Sequence, residues 1–387
     1  MFLTIIIFIL VLSLLVFVHE LGHFLSARKF GLKPEEFGFG FPPRAWGIYK
    51  AKDGTWKTVK GKKKVEDAAD TIYSVNWLPL GGFVKLGEDD ADISPEANHF
   101  HNKPIWQRLV MLLAGVTMNI VLAAVLITFG FMIGLPQVTE GLHPSARISE
   151  QKIQVVSVLD NTPAEQAELK VGDAIISING EDLKNSEHLQ ALTAANTDNE
   201  LTYVIKRADE VFVKQITPIT IEETGSGGIG IGIVDTGLVK YPIHIAIWEG
   251  IKTTGITLVA ILMAFFELFK AMFGASTLSA EIAGPVGIAV ITGQVARMGF
   301  VYILQFTAIL SINLAIINAL PFPALDGGRV LFLIIEKIKG SPVKREIEGM
   351  IHYIGFALLM LLVLVVTFKD LARFGDSFKA LWQAIVG

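Results

Sequence analysis

"LLVFVHELGHFLSARKFG", Leu14 to Gly31, decides how the chain is read. It closes an apolar run that begins at Met1, and it sets two histidines and a glutamate where a membrane helix ordinarily carries none. Ionisable side chains inside a bilayer cost at least a few kcal/mol each and mark functional sites. Met1 to Val18 lacks the basic leader and small-residue cleavage site of a signal peptide, and the pattern continues through Ser26, so the run reads as a retained span. His19 and His23 are four residues apart, which on a helix lets both imidazoles reach one ion. Zinc suits two imidazoles plus one carboxylate with a position left open for water, and the intervening Glu20 can take the proton from that water. The plainer reading, histidines snorkelling toward a wet interface, leaves Glu20 without a use.

Composition agrees with a membrane setting. The chain has 387 residues, 52% hydrophobic and 18% charged, with mean hydropathy +0.53, too apolar for an ordinary soluble protein. A net charge of -4 points to no nucleic-acid partner, and the absence of cysteine removes disulfides and thiolate ligands together. Any metal must be held by His, Asp or Glu.

The expected fold is a polytopic α-helical membrane protein with four spans. Leu109–Ile133 and Val301–Leu325 are each 25 residues without a charge, and Tyr353–Phe368 is a shorter fourth run. Arg28–Lys64 holds eleven Lys or Arg against three acids, so the loop after the first span is predicted cytoplasmic and the N-terminus outside. Lys337, Lys339, Lys344 and Arg345 place the loop between the last two spans on the same side. Thr253–Phe266 offers only 14 uncharged residues between Lys252 and Glu267, the length of an interfacial or re-entrant helix, so Trp248–Phe273 is expected to be membrane-associated without crossing. The predicted division is 1–27, first span; 28–104, cytoplasmic loop; 105–136, second span; 137–233, soluble domain; 234–299, membrane-associated helices; 300–336, third span; 337–350, cytoplasmic loop; 351–387, fourth span and tail.

A third ligand must come from elsewhere, and the best candidate lies in "IINALPFPALDGGRVLF", Ile316–Phe332, where Asp326 is the only acid between Glu281 and Glu336. Pro321 and Pro323 must interrupt the helix, and broken backbone at membrane depth is tolerated only where it lines protein or a wet cavity. Gly327 and Gly328 allow close approach of another helix. Asp326 could also serve as the N-cap of the helix that follows, and the two roles are compatible.

The pair "HELGH" and "LDGG" on separate membrane helices resembles the site-2 protease family of intramembrane zinc metalloproteases, in particular the bacterial regulators of sigma-factor stress responses. "FGFGFPPR" (Phe37–Arg44), "LPLGGFVKL" (Leu78–Leu86) and "INLAIINALPFPALDGG" (Ile312–Gly328) extend the likeness over nearly the whole chain. The resemblance implies one Zn2+ per chain, His19, His23 and Asp326 as its ligands, Glu20 as catalytic base, and residence in the bacterial inner membrane. It also implies that the strand-like segment of the first loop is a membrane-dipping β element pairing with an extended substrate, through Gly81, Gly82, Phe83 and Val84. A helical peptide bond is shielded by its own hydrogen bonds, so an exposed strand edge that holds a substrate unwound suits the chemistry.

Other segments leave two readings open. Asn119, in the uncharged second span, either hydrogen-bonds between helices or stabilises a developing oxyanion, and Asn313 and Asn318 carry the same ambiguity. "QVVSVLDNTPAEQAELKVGDAIISINGEDL", Gln154–Leu183, reads as strand, short helix, strand and turn and resembles a single extracytoplasmic PDZ domain, with Glu168 where glycine is usual. "GSGGIGIGI", Gly225–Ile233, is either the carboxylate-binding turn of that domain or a linker. "EIAGPVGIAV", Glu281–Val290, has no role that the sequence alone supplies.

The expected function is cleavage of the membrane segment of single-pass proteins already trimmed by a site-1 protease, an anti-sigma factor being the expected class. Removal of remnant signal peptides is the alternative within enzymes, and an inactive PDZ scaffold the alternative outside them; the intact Glu20, His19, His23 and Asp326 argue against the scaffold. The PDZ domain is expected to gate substrate size.

Overall fold

The computed structural model describes residues 2–63, 65–86, 100–207, 210–221, 225–273 and 283–373, in two compact units. Unit 1 comprises Met1–Ile127 and Ile251–Gly387; unit 2 is Thr128–Gly250. In chain order the elements are α1 (Phe2–Lys29), β1 (Glu36–Lys50), β2 (Trp56–Val59), β3 (Ile72–Lys85), α2 (Ile105–Ile133), β4 (Leu135–Val138), β5 (Arg147–Val158), α3 (Pro163–Gln166), β6 (Ala174–Ile178), β7 (Glu181–Asp182) and α4 (Ser186–Ala195). They continue as β8 (Leu201–Arg207), β9 (Glu210–Ile216), β10 (Ile219–Ile221), β11 (Ser226–Gly228), β12 (Ile231–Lys240), α5 (Ile243–Phe273), α6 (Pro285–Met298), α7 (Phe300–Ala319), α8 (Asp326–Lys339) and α9 (Arg345–Arg373).

Five helices among the described residues are long and apolar enough to cross a membrane: α1, α2, α5, α7 and α9. The fifth is α5, which runs 31 residues, starts at Ile243 and ends at Phe273, and so contains the expected segment Trp248–Phe273. Lys252, Glu267 and Lys270 lie within the helix rather than bounding it, because backbone signals such as Pro and Gly end helices while exposed charges do not. The run expected as one third span is two helices. α7 stops at Ala319, Pro321 and Pro323 break the ladder, and α8 restarts at Asp326. With 14 residues, α8 is too short to cross; it buries Gly327, Gly328 and Leu333 and ends at Gly340 in the left-handed conformation.

In unit 1, α1 and α2 approach most closely where Gly22 lies under Ala114: a Cβ on Gly22 would sit 2.4 Å from the Ala114 carbonyl oxygen. Ala27, Leu32, Phe100, Met111, Leu112 and Leu333 form an apolar core at the C-terminal end of α1, and the half-buried pair of Arg108 with Glu336 ties the start of α2 to α8 there. The opposite end of the bundle is closed by α6. Gly293 faces Thr4 of α1, and the N–H of Gly287 donates to Asp370 Oδ2 of α9 at 2.7 Å. This accounts for the described part of the segment 281–290: a side chain at Gly284 or Gly287 would press on the buried Asp370 carboxylate, which supplies the acceptor that the first turn of α6 otherwise lacks.

The first loop folds as a sheet whose two long strands are both bent. Ser74 pairs with Gly38 on one side and Gly47 on the other, while Phe37–Phe39 pair with Gly82–Val84. The order across the sheet is therefore β2, 44–50, 72–76, 36–39, 82–85, and no described strand lies beyond 82–85. The bend at 77–81 lies against α1: Ser13 Oγ donates to the Pro79 carbonyl at 2.6 Å, and a Cβ on Gly81 would collide with Val16. Trp77, Leu78 and Leu80 are exposed around it.

Unit 2 holds an antiparallel sheet, ordered β4-β12-β5-β6-β8-β9 with β7 on β6, and a separate pair β10-β11, around a core that includes Val155, Ile175, Tyr203, Ile205 and Ile229. Its last strand β12 reaches Lys240, pairing with both β4 and β5, so the domain extends past the expected 233. The glycine-rich stretch is ordered strand and turn, with Ile229 in the core, which removes the linker reading. Glu168 has φ +61°, the conformation for which glycine is the usual residue there.

Candidate active site

Helical spacing brings His19 and His23 to one face of α1, where both are buried, and their Nε2 atoms lie 3.2 Å apart. Asp326, the first residue of α8, directs Oδ2 to 3.0 Å from His19 Nε2 and 3.3 Å from His23 Nε2. Two ligands bound at about 2.0–2.1 Å around a tetrahedral zinc stand about 3.3 Å from each other. Oδ2 is buried and makes no directed hydrogen bond, while the two Nε2 atoms stand within hydrogen-bonding distance of each other, so three potential ligand atoms converge on one point. This donor set, two imidazoles and a carboxylate, fits a zinc ion, and it is the one metal-capable cluster among the described residues.

The backbone around the trio leaves it room. A Cβ on Gly115 of α2 would stand 2.5 Å from His23 Nε2 and 2.8 Å from His19 Nε2. Gly327 and Gly328 let the first turn of α8 fold back on the end of α7, where a Cβ would meet the carbonyl oxygens of Leu320 and Phe322 at 2.2 and 2.3 Å. The residue before α8 with cap geometry is Leu325, so Asp326 is not the N-cap and its carboxylate is left for the histidines.

Each imidazole is held from behind. His23 Nδ1 meets the Met111 carbonyl at 2.9 Å, which makes Nδ1 the donor and leaves Nε2 with its lone pair. His19 Nδ1 lies 3.2 Å from the Asn119 amide, whose Oδ1 is buried without a partner. Amide O and N are assigned by such networks, and with the amide turned end for end Oδ1 accepts from His19 Nδ1–H, which leaves His19 Nε2 its lone pair. Asn119 thus lies behind His19 rather than over the cleft, and Ser311 of α7 holds its backbone by donating to its carbonyl at 2.7 Å. Asn313 and Asn318 are half-buried on α7 and do not line the cleft.

Glu20 opens on a cavity of about 270 Å³ lined also by His23, Val84, Lys85, Leu86, Ala324 and Asp326. Val84 and Lys85 share that cavity wall with Glu20. The strand edge 82–85 thereby lies beside the trio, and Gly82 permits it, since a Cβ there would press on Phe17 Cα at 3.2 Å. Sequence reasoning singled out Gly81–Val84 but missed Ser13, Ser311 and the Arg108–Glu336 pair; lone polar residues in apolar runs are the only signal these leave.

The model of peptidase family M50 matches residues 7–60 and 61–362. The chain is 31% identical to the regulator of sigma-W protease RasP of Bacillus subtilis, over 96% of this chain and 98% of that protein. It is 30% identical to the zinc metalloprotease RasP of Bacillus licheniformis, over 96% and 99%. Among solved structures, the PDZ domain of an SdrC-like protein from Listeria monocytogenes aligns with 26% identity over 22% of this chain and 92% of that one, at TM-score 0.21.

Proposed function

From the premise that the chain belongs to peptidase family M50 and is an intramembrane zinc metalloprotease, we propose that it cuts the membrane segment of single-pass proteins shortened beforehand by another protease, with an anti-sigma factor as the substrate class. The name of the Bacillus subtilis relative, a regulator of sigma-W protease, supports that class. The observation that carries the site assignment is the convergence of His19 Nε2, His23 Nε2 and Asp326 Oδ2 beside Glu20 at a cavity bordered by a strand edge.

His19, His23 and Asp326 hold the zinc. When bound, the metal supplies Lewis acidity toward water and the scissile carbonyl. Glu20 takes the proton from the attacking water and returns it to the leaving amine. The edge 82–85 keeps the substrate extended, so that its amide is stripped of helical hydrogen bonds before attack. Four crossings, by α1, α2, α7 and α9, suit the packing: α6 meets the start of α1 and the end of α9, whereas Asp326 meets the far part of α1. Both basic loops then face the cytoplasm and the PDZ-like unit lies outside, where it excludes long ectodomains.

The test compares Glu20→Gln with Asp326→Asn in purified full-length protein. Glu20→Gln is expected to keep one zinc per chain and lose at least about a hundredfold in cleavage of a trimmed substrate, while Asp326→Asn loses zinc as well. Appreciable turnover by Glu20→Gln removes it as the base, and full zinc retention by Asp326→Asn removes it as a ligand. Excision of the PDZ-like unit should take Leu135–Lys240 whole, since a cut inside β5 orphans β4 and β12. Gating predicts that this excision admits untrimmed substrate; loss of trimmed-substrate cleavage with zinc still bound would mean that the unit presents substrate instead.

A further inference from the structure

Asp326 is the ligand that does not come from a long helix. Its position depends on the turn Leu320–Leu325, and that turn contains a conformation an alanine rarely adopts: Ala324 has φ +78°. Such a residue persists only where its surroundings over-determine it. The surroundings here are on α9. The N–H of Ala324 donates to His352 Nδ1 at 2.8 Å, across 28 residues of chain. One turn further along α9, Gly355 is buried with its backbone pressed on Pro323, where a Cβ would stand 2.4 Å from Pro323 Cβ and 2.7 Å from its carbonyl oxygen. The His352 ring is steadied from α8 by Phe332, with ring centroids 5.4 Å apart.

We propose that His352 is a positioning residue for the metal site: its Nδ1 lone pair accepts the Ala324 N–H, fixes the turn at its left-handed residue, and so holds Asp326 at the distance at which it shares an ion with His19 and His23. His352 touches neither the trio nor the reacting atoms. The device places the last membrane helix in charge of the one ligand the first helix does not carry. Gly355 sets the approach of α9 and His352 supplies the directional contact. The requirement is an acceptor at the Nδ1 position, which specifies the tautomer with its proton on Nε2, the nitrogen facing Glu348 Oε1 at 4.0 Å.

This inference rests on Asp326 being a zinc ligand, and the experiment separates the two. Full-length wild type, His352→Leu, His352→Asn, His352→Gln and Asp326→Asn are titrated with a zinc chelator, and kcat and KM are measured on a trimmed substrate. In Asn the side-chain oxygen falls near Nδ1; in Gln it falls near Nε2. His352→Asn is expected to stay within about threefold of wild type in zinc affinity and kcat. His352→Leu and His352→Gln are expected to lose about tenfold or more in zinc affinity, the loss typical when a partner behind a ligand is removed, with kcat falling more than KM. If His352→Leu does not accumulate, the Asn and Gln pair decides, since both are polar and only one reaches. Equal behaviour of Asn and Gln, or wild-type zinc affinity in His352→Leu, overturns the proposal. Zinc retention by Asp326→Asn would remove the ligand assignment itself, whereas its loss beside an unaffected His352→Leu refutes the brace alone.

Discussion

Around the histidines, the contacts that hold side chains in place are polar or run through glycine: Gly22 under Ala114, Gly115 under both imidazoles, Met111 and Asn119 behind the two Nδ1 atoms. In residues 128–250 the contacts are apolar, between side chains such as Val155, Ile175, Ile205 and Ile229. The difference follows from the solvent. A leucine on a membrane helix gains little by leaving lipid for another leucine, so helix pairing there relies on close backbone approach and hydrogen bonds. A small domain in water is held by burying the same leucine. Geometry in the first region is therefore sensitive to an added methyl, and stability in the second to a removed one.

The strongest way to break this comparison is to add one carbon. Gly115→Ala should displace both histidines and lower zinc occupancy and cleavage by tenfold or more, whereas Gly255→Ala, with open space around it, should change neither. Metal analysis of the two purified variants checks it, and normal zinc in Gly115→Ala would mean that the helices separate at little cost. Next in size, Ile205→Ala should destabilise the PDZ-like unit by about 2–5 kcal/mol with zinc content unchanged; proteolysis of the full chain under denaturant, read alongside metal analysis, tests both halves of that statement.

Two smaller effects sharpen the picture inside the PDZ-like unit. Glu168→Gly should stabilise it by up to about 1–2 kcal/mol, because the left-handed conformation penalises a Cβ; the change keeps the Arg207 bond to the Glu168 carbonyl and the pair of Arg207 with buried Asp173, and removes only the exposed 3.8 Å contact with Lys214, which contributes little. Tyr203 is fully buried with its hydroxyl unpartnered, and burial pushes its pKa above the ordinary phenol range. Tyr203→Phe should be neutral to stabilising below pH 10, by about 1 kcal/mol or less. Above that pH the unfolded wild type loses a phenol proton that the folded form keeps, so wild-type stability falls by up to about 1.4 kcal/mol per pH unit relative to the variant. Parallel melts at pH 8 and pH 11 decide it.

The chemistry was legible in the chain because it needs particular residue types at particular spacings. His19, Glu20 and His23 fall on adjacent turns of one helix by arithmetic, and a solitary Asp326 beside two prolines stood out as a candidate partner for them. Alternating apolar residues indicated strand at 78–86, where β3 runs to Lys85. Boundaries were less legible. α5 starts at Ile243, five residues before the expected Trp248, and β12 runs on to Lys240 because it pairs on two sides, a fact of neighbours rather than of its own residues.

By itself, then, the sequence determined the metal-binding residue types, the apolar segments and the presence of a separate mixed domain, all of which are properties of local spacing and composition. Tertiary structure alone decided what stands behind each imidazole and beside Glu20. Asn119 faces His19 only because Gly22 and Gly115 let α1 and α2 touch, the edge at 82–85 borders the Glu20 cavity only because β1 and β3 both bend, and Ala324 keeps its left-handed turn against a helix 28 residues away. These are pairings between groups far apart in the chain, whose energies depend on approach distance and direction, and neither quantity is written in the order of the residues.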